Sequence, residues 1–330
     1  MAGLTATQLE RFREDGYLIV EDVLTETDLA ALEDEYCGIM DRVSPDLVDQ
    51  AKLRPLEGIT FSEQYVEAMQ QLDDMYDLYQ HLDISLPLFD GLDHSHAMNA
   101  GPAVFGLLTN PRLLDIVESV IGPEIYSNPV QHTRIKPPAR HLPETAPLDA
   151  NIAATLWHQD SAVIDSEADG TDMLTVWLAV TDATLENGCL IVERESHRDE
   201  MTLHCPGKIF PAEIYIPESI TDDGRVIPME VPAGGAVLLH KLTEHGSLDN
   251  HSDDIRWSFD LRYQPIGQPT GRSVFPGFVA RSKAHPETVL SDPEEWANLW
   301  WDARDRIADG VTPMHLNARW EANARQPICA

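Results

Sequence analysis

The sequence predicts a mainly β core, a sandwich or barrel, flanked by helices at both ends. Two observations carry this. From residue 125 onward, short apolar runs alternate with turn residues: Ile125 to Lys136, Ala153–His158, Met173–Val180, Cys189–Glu193, Ala236–His240 and Ile255–Tyr263. Short runs separated by Gly, Asn and Pro are the pattern of an all-β core. Before residue 125, and again beyond Pro276, apolar residues recur instead at helical spacing.

The elements follow in order. Thr5 and Gln8 have the spacing of a capping box that opens a helix, Gly16 ends it, and Tyr17-Leu-Ile-Val20 reads as a short strand. Thr25 to Met40 carries Leu29, Leu32, Tyr36, Ile39 and Met40 on one helical face, and Phe61 to Leu82 reads as one long helix. Asn110-Pro111 opens a helix over Leu113 to Val120, and Gly122-Pro123 closes it. Pro137-Pro138 begins a loop that lasts to about Ala150. Asp292-Pro293-Glu-Glu opens a C-terminal helix bearing Trp296, Trp300 and Trp301, which would form an interface or pack back onto the core. We therefore expect one domain over 1–330, with a helical wrap over 1–125, a β core over 125–265 and a helical extension over 266–330. No Gly-rich phosphate loop follows a strand, so a nucleotide-binding fold is not expected.

Composition narrows the function. The formal net charge is -33, and only five lysines face 56 acidic residues. So acidic a surface repels nucleic acid and anionic membranes, and neither is expected as a partner. The 43% hydrophobic fraction supports a sizeable core. Cys37, Cys189, Cys205 and Cys329 are scattered, with no C-x-x-C pair. That argues against a zinc site or a disulfide framework and for a reducing compartment. The first residues lack the pattern of a secretory signal, and no apolar run approaches the roughly 20 residues needed to cross a bilayer. A cytoplasmic protein, monomeric or homodimeric, acting on a small molecule is the expectation.

One constellation carries chemistry. Two histidines and a carboxylate on one face of a metal leave three positions open, which suits non-haem iron. A His-x-Asp on a strand supplies two such ligands, because a period of two puts both side chains on one face. With 13 His and 56 acids, about two His-x-acid triplets arise by chance, and the chain holds five. His81/Asp83 sits at a helix end, where a spacing of two separates side chains by about 200°. His197/Asp199, His251/Asp253 and His285/Glu287 lie in polar, turn-like stretches. Only His158/Asp160 ends an apolar run. A second His, His245, is followed by Gly246 and Ser247, and Arg256 opens a strand-like run eleven residues on. Arg suits a carboxylate because its planar fork binds two oxygens at once. Alternation puts Arg256, Ser258, Asp260 and Arg262 on one face and Trp257, Phe259, Leu261 and Tyr263 on the other. Periodicity leaves open whether the polar face meets solvent or a central site.

Trp157-His-Gln-Asp160, Glu186-Asn-Gly-Cys-Leu190, Ser196-His197, His245-Gly-Ser247 with Arg256, and the opening Thr7 to Leu18 together resemble the phytanoyl-CoA dioxygenase family. The resemblance covers about residues 5 to 265. It implies a double-stranded β-helix, or jelly-roll barrel. It implies His158, Asp160 and His245 as iron(II) ligands, with 2-oxoglutarate and O2 as co-substrates. Arg256 is then the partner of the far carboxylate of 2-oxoglutarate, with Ser247 beside it. Trp177 falls where the family often has a Trp near the co-substrate, with core packing as the alternative. Lys136 and the stretch from Gln131 to Thr133 fall at polar co-substrate positions, with a surface lysine as the alternative for Lys136. Where the family has Pro-Gly-Ser-His, this chain has Arg194-Glu-Ser-His197, and a structural turn is the role expected of His197. Halogenating relatives lack the carboxylate; Asp160 is present, so hydroxylation with release of succinate and CO2 is the implied outcome. A jelly roll that binds metal without oxidation, such as an isomerase or binding module, keeps the histidines but has no use for Arg256. Arg262 and Asp260, if inward, would bind a zwitterionic substrate or pair with each other.

Overall fold

Capping chemistry starts the helices. In the computed structural model, which describes residues 3–88, 92–142, 151–207, 214–312 and 316–329, Thr5 accepts the Gln8 amide and Gln8 returns the bond to the Thr5 amide. This opens α1 (Ala6–Asp15), and the left-handed Gly16 closes it. β1 (Tyr17–Val20) follows. Capping boxes that the sequence reading passed over, Thr25 with Asp28 and Thr60 with Glu63, open α2 (Glu26–Asp49) and α3 (Phe61–Met69). The single helix expected over Phe61 to Leu82 is broken. The Asp74 carboxylate accepts the Tyr76 amide at 2.9 Å and starts a new short helix, α4 (Tyr76–Tyr79). An Asp that bonds its own local backbone competes with helix continuation. α5 (Pro102–Leu108) and α6 (Pro111–Ile121) complete the N-terminal set.

The strands are β2 (Ile125–Lys136), β3 (Leu174–Ala179), β4 (Leu190–Glu193), β5 (Cys205–Pro206), β6 (Ile214–Tyr215), β7 (Val226–Met229), β8 (Ala236–His240), β9 (His245–Ser247), β10 (Arg256–Pro265) and β11 (Phe278–Arg281). α7 (Pro293–Ala308) follows. A six-stranded antiparallel sheet has the order β1-β8-β3-β10-β2-β11, and a three-stranded one the order β7-β4-β9. β5 and β6 form a separate pair. The two larger sheets face each other as a jelly roll, and isolated bridges at His158↔His245 and Ala183↔Val231 link segments outside the named ladders. No closed barrel forms among the described residues. Two strands of the large sheet, β1 and β11, come from outside residues 125–265. The loop expected from Pro137 to about Ala150 lies beyond residue 142 outside the described residues.

The large sheet divides the core. Trp257, Phe259, Leu261 and Tyr263 of β10 pack with α2, α3, α5, α6 and α7 in the main cluster. Trp177, Val237 and Leu239 face the small sheet and pack with Leu190, Val192 and Met229. Trp296 and Trp300 are buried against Phe105 and Phe275, with ring centroids 5.8 and 5.3 Å apart, so these α7 tryptophans pack onto the core. One expectation on the cysteines is overturned: Cys205 and Cys329 form a disulfide with Cα atoms 5.5 Å apart. Sequence spacing could not reveal it, because 124 residues separate the pair and only the fold brings the chain end to β5.

Candidate active site

The site lies between the two sheets, where β9 meets the segment before Asp160. The strand expected over Ala153–His158 is not formed. The Thr155 amide donates to the Ser247 hydroxyl at 2.9 Å rather than to a backbone carbonyl, which interrupts the ladder. What remains is one bridge: the amides of His158 and His245 donate to each other's carbonyls at 2.9 and 3.0 Å. Gly246 permits this approach, since a Cβ there would stand 2.9 Å from the Thr155 carbonyl oxygen. Asp160 then opens a 3-10 turn (Asp160–Val163). His158 and Asp160 thus converge through a bridge and a turn, not through strand alternation.

His158, Asp160 and His245 are all buried, and one ligand atom from each lies within 4.8 Å of the others. His158 Nε2 is 4.0 Å from Asp160 Oδ1, and His245 Nε2 is 3.9 Å from Oδ2. Each imidazole places Nδ1 2.9 Å from a backbone carbonyl, of Leu156 and Thr243 respectively. Those bonds put the proton on Nδ1 and leave Nε2 with its lone pair toward the centre. Burial, reinforced by His245, pushes the His158 pKa down to about 3, so this ring is neutral near pH 7. Burial alone would raise the Asp160 pKa; the Arg262 guanidinium and the two imidazoles outweigh it and hold the group ionised. Asp160 Oδ1 accepts from Arg262 Nη2, and Oδ2 accepts from Thr175 Oγ1. Each oxygen keeps a lone pair for a metal. Two imidazoles with Nε2 turned inward and one carboxylate on one side suit a divalent iron with open positions opposite.

The polar face of β10 turns inward. Its rungs alternate with those of β2 and β3: Arg256 faces Lys136, Ser258 faces Arg134, and Arg262 faces Thr175. A cavity beside the cluster is lined by Arg134, Thr155, His158, Trp177, His245 and Asp260, among others. Asp260 pairs with Arg134, at 2.5 Å, and Arg262 with Asp160. This corrects the expected mutual pairing of Arg262 with Asp260, since each pairs with a different partner, while Asp260 Oδ1 and Arg262 Nε keep no hydrogen-bond partner. Lys136 is buried and donates to the Ser247 hydroxyl at 2.6 Å and the Leu248 carbonyl at 2.8 Å. It is therefore not a surface lysine. Arg256 is fully buried; its Nη1 donates to Ser258 Oγ at 2.6 Å, while Nε and Nη2 have no hydrogen-bond partner. Its guanidinium carbon lies 5.4 Å from the centroid of the Trp177 ring. Burial and then Arg134 lower the Arg256 pKa to about 9, and burial with both arginines pushes Lys136 well below its ordinary value.

Such a guanidinium is costly unless something anionic completes it. Arg134 and Arg256 outnumber Asp260, so the inner wall carries positive charge that a carboxylate would balance. Trp177 is both wall and core, since it lines the cavity and belongs to the inter-sheet cluster.

Gln131 and Thr133 are not brought to the site. Gln131 Nε2 donates to the Ile84 carbonyl at 2.7 Å, and Thr133 Oγ1 lies 2.7 Å from the Tyr36 hydroxyl. Thr133 is opposite Phe259 on the helix-facing side of β2, whereas Arg134 and Lys136 face inward. The period of two held the signal that would have exchanged Thr133 for Arg134. Thr175 and the Arg262–Asp160 bond were also missed; Thr175 shares a face with Trp177, the one cue available. His197 has a structural role: its Nε2 is 3.0 Å from the Arg13 carbonyl, in a turn begun by the left-handed Glu195.

Comparison with known proteins places the chain in a family. The family model for phytanoyl-CoA dioxygenase matches residues 12–258. Phytanoyl-CoA dioxygenase domain-containing protein 1 of Bos taurus is 25% identical over 299 residues, covering 84% of this chain and 99% of the relative. The Rattus norvegicus protein of the same name is 28% identical over 309 residues, with the same coverage. Among solved structures, the non-heme monooxygenase ThoJ has a TM-score of 0.57 at 18% identity, over 92% of this chain and 97% of its own. EvdO2 from Micromonospora carbonacea var. aurantiaca, complexed with 2-oxoglutarate, has a TM-score of 0.52 at 20% identity, over 82% and 96%. These structural likenesses support the fold. With three quarters of its length matched by the family model, the chain belongs to the phytanoyl-CoA dioxygenase family.

Proposed function

We propose that the protein is an iron(II)- and 2-oxoglutarate-dependent dioxygenase that hydroxylates a small-molecule metabolite, releasing succinate and CO2. One observation carries the proposal. The same inner wall holds a His2Asp cluster with both Nε2 atoms turned to one point and a fully buried Arg256 with two unused N–H groups. A metal-binding module without oxidation explains the first feature and leaves the second without a reason. Iron(II) at the cluster would supply dioxygen activation, with 2-oxoglutarate as the source of two electrons.

The chain's own residues have separable tasks. Arg256 offers Nε and Nη2 to the far carboxylate, which replaces the missing partners of both. Ser247 Oγ, fixed by Lys136 and the Thr155 amide, adds a hydroxyl beside it. Arg262 and Thr175 hold Asp160 as an oriented carboxylate. The Leu156 and Thr243 carbonyls hold the imidazole protons on Nδ1. Trp177, Leu190 and Leu239 close the apolar side and keep water from the reacting centre. Retention of Asp160 favours hydroxylation over halide transfer.

In this proposal residues 1–330 act as one oxygenase unit, monomeric or homodimeric and cytoplasmic. No helix among the described residues is long and apolar enough to cross a membrane. The charge of -33 disfavours a substrate rich in phosphate, and a small metabolite fits better. Succinate release from purified protein, dependent on added iron(II), 2-oxoglutarate and oxygen, is the test. If a broad substrate panel yields no more succinate than the His158→Ala variant, the non-oxidative alternative replaces this one.

A further inference from the structure

Residues 316–329 lie across the back of the turn that carries Asp160, and they fall outside residues 12–258 matched by the family. The grip is specific. Arg319 Nη1 donates to the Ser161 and Ile164 carbonyls at 2.9 and 2.8 Å. Trp320 Nε1 donates to the Ala162 carbonyl at 3.0 Å. Arg319 also pairs with Asp169 at 2.7 Å. The carbonyls of Ser161, Ala162 and Ile164, just after Asp160, are thus fixed by two side chains of one remote segment.

The residue just before Asp160 is held through the same segment. The Gln159 amide donates to His204 Nε2 at 3.1 Å, and its side-chain oxygen accepts the Thr202 amide at 2.8 Å. His204 stacks on Trp320 with centroids 5.1 Å apart, and its carbonyl accepts from Asn323 Nδ2 at 2.8 Å. The next residue, Cys205, is bonded to Cys329. Both flanks of a metal-ligating carboxylate are therefore braced by the C-terminal segment, and a covalent bond fastens its far end.

We propose that residues 316–329 form a strap that positions the Asp160 turn, and that the Cys205–Cys329 disulfide is a redox-sensitive catch on that strap. With the catch closed the cluster binds its metal tightly; with the catch open the turn loosens and metal affinity falls. This rests on the metal-site assignment above. Arg319 and Trp320 are positioning residues, since they act on Asp160 only through its turn. A dithiol opens the catch. Its thiolate attacks one cystine sulfur, the S–S bond breaks, and the other cysteine leaves as thiolate. The second thiol then closes a cyclic disulfide and releases the first cysteine, so two electrons pass from dithiol to cystine and each cysteine takes a proton. In a reducing cytoplasm the catch would be open at rest and would close by exchange with a small-molecule disulfide, which takes the two electrons and two protons and leaves as two thiols.

The test is anaerobic titration of the full-length protein with Co(II), read by visible absorption. Oxidised protein is compared with protein treated with dithiothreitol and desalted, and with the Cys329→Ser, Arg319→Ala and Arg319→Lys variants. Loss of an outer support weakens metal binding about 10- to 100-fold. We expect a loss in that range for the reduced protein, Cys329→Ser and Arg319→Ala, with partial recovery in Arg319→Lys. Equal Co(II) affinity before and after reduction overturns the strap while leaving the metal site intact. So does non-reducing peptide mapping that finds Cys205 and Cys329 as free thiols after air oxidation. If oxidised protein takes up no Co(II) at all, the metal-site assignment fails and the strap with it. Should Cys329→Ser not fold, the oxidised and reduced wild-type samples decide the matter by themselves.

Discussion

The two ends of the inner wall satisfy their charges differently. At the metal end, the Asp160 oxygens accept from Arg262 and Thr175, and both imidazole Nδ1 atoms meet backbone carbonyls. At the other end, Arg256 is equally buried but has hydrogen-bond partners for only part of its fork. Both ends keep an unused buried donor, Nε of Arg262 at the metal end and Nε with Nη2 of Arg256 at the other, and the larger deficit is at Arg256. On the function proposed above, the contrast is that of a wall receiving a cation at one end and a carboxylate at the other.

The contrast can be broken from its metal end. Asp160→Ala removes a ligand and leaves Arg262 and Thr175 without their acceptor. Metal affinity should fall more than about 100-fold, beyond what loss of an outer partner produces, and calorimetric titration with iron(II) or Co(II) checks this. At the other end, Arg256→Ala should weaken 2-oxoglutarate binding about 100- to 10,000-fold, since two charge-assisted bonds of about 1.5–3 kcal/mol each are lost. Metal affinity should stay unchanged in the same variant; if both fall together, the two ends are not separable. Arg262→Met probes the boundary. It should lower metal affinity about 10- to 100-fold while Arg256 and Ser247 remain in place.

The opposite face of β10 supplies the control. Phe259→Ala empties a site in the helix-facing core and should cost about 3–5 kcal/mol in denaturant unfolding, with binding of either guest unchanged in the folded fraction. A further effect concerns pH. Burial lowers His204 and His240 from 6.5 to about 4. Between these values the unfolded chain takes up protons that the native one refuses, so native stability declines as pH falls from about 6.5 toward 4. Thermal melts across that interval should show the decline, and His240→Gln should make it shallower.

Much of the site was legible before any coordinates. The order His158, Asp160, His245, Ser247, Arg256 is a one-dimensional pattern, and the family it resembles holds by direct comparison. The strand from Ile125 to Lys136 was placed to the residue, because β-branched and apolar residues bounded by Gly122-Pro123 and Pro137-Pro138 leave few alternatives. The run before His158 misled, because it meets β9 through a single bridge, with the Thr155 amide taken by the Ser247 side chain, which is too little for a strand. Gln131 and Thr133 misled for a different reason: a polar residue on a strand reads the same whether it serves a site or a buried helix contact.

What the sequence alone determined, then, was the chemistry available: which ligands, which cation, and a β core with helices around it. Those follow from residue identity and short-range period, which are local properties. Tertiary structure decided who pairs with whom. Arg262 went to Asp160 and Arg134 to Asp260, Arg256 was left with open donors, and Cys205 met Cys329 across 124 residues. These pairings depend on register between distant strands and on where the chain's end returns, and no local pattern encodes either.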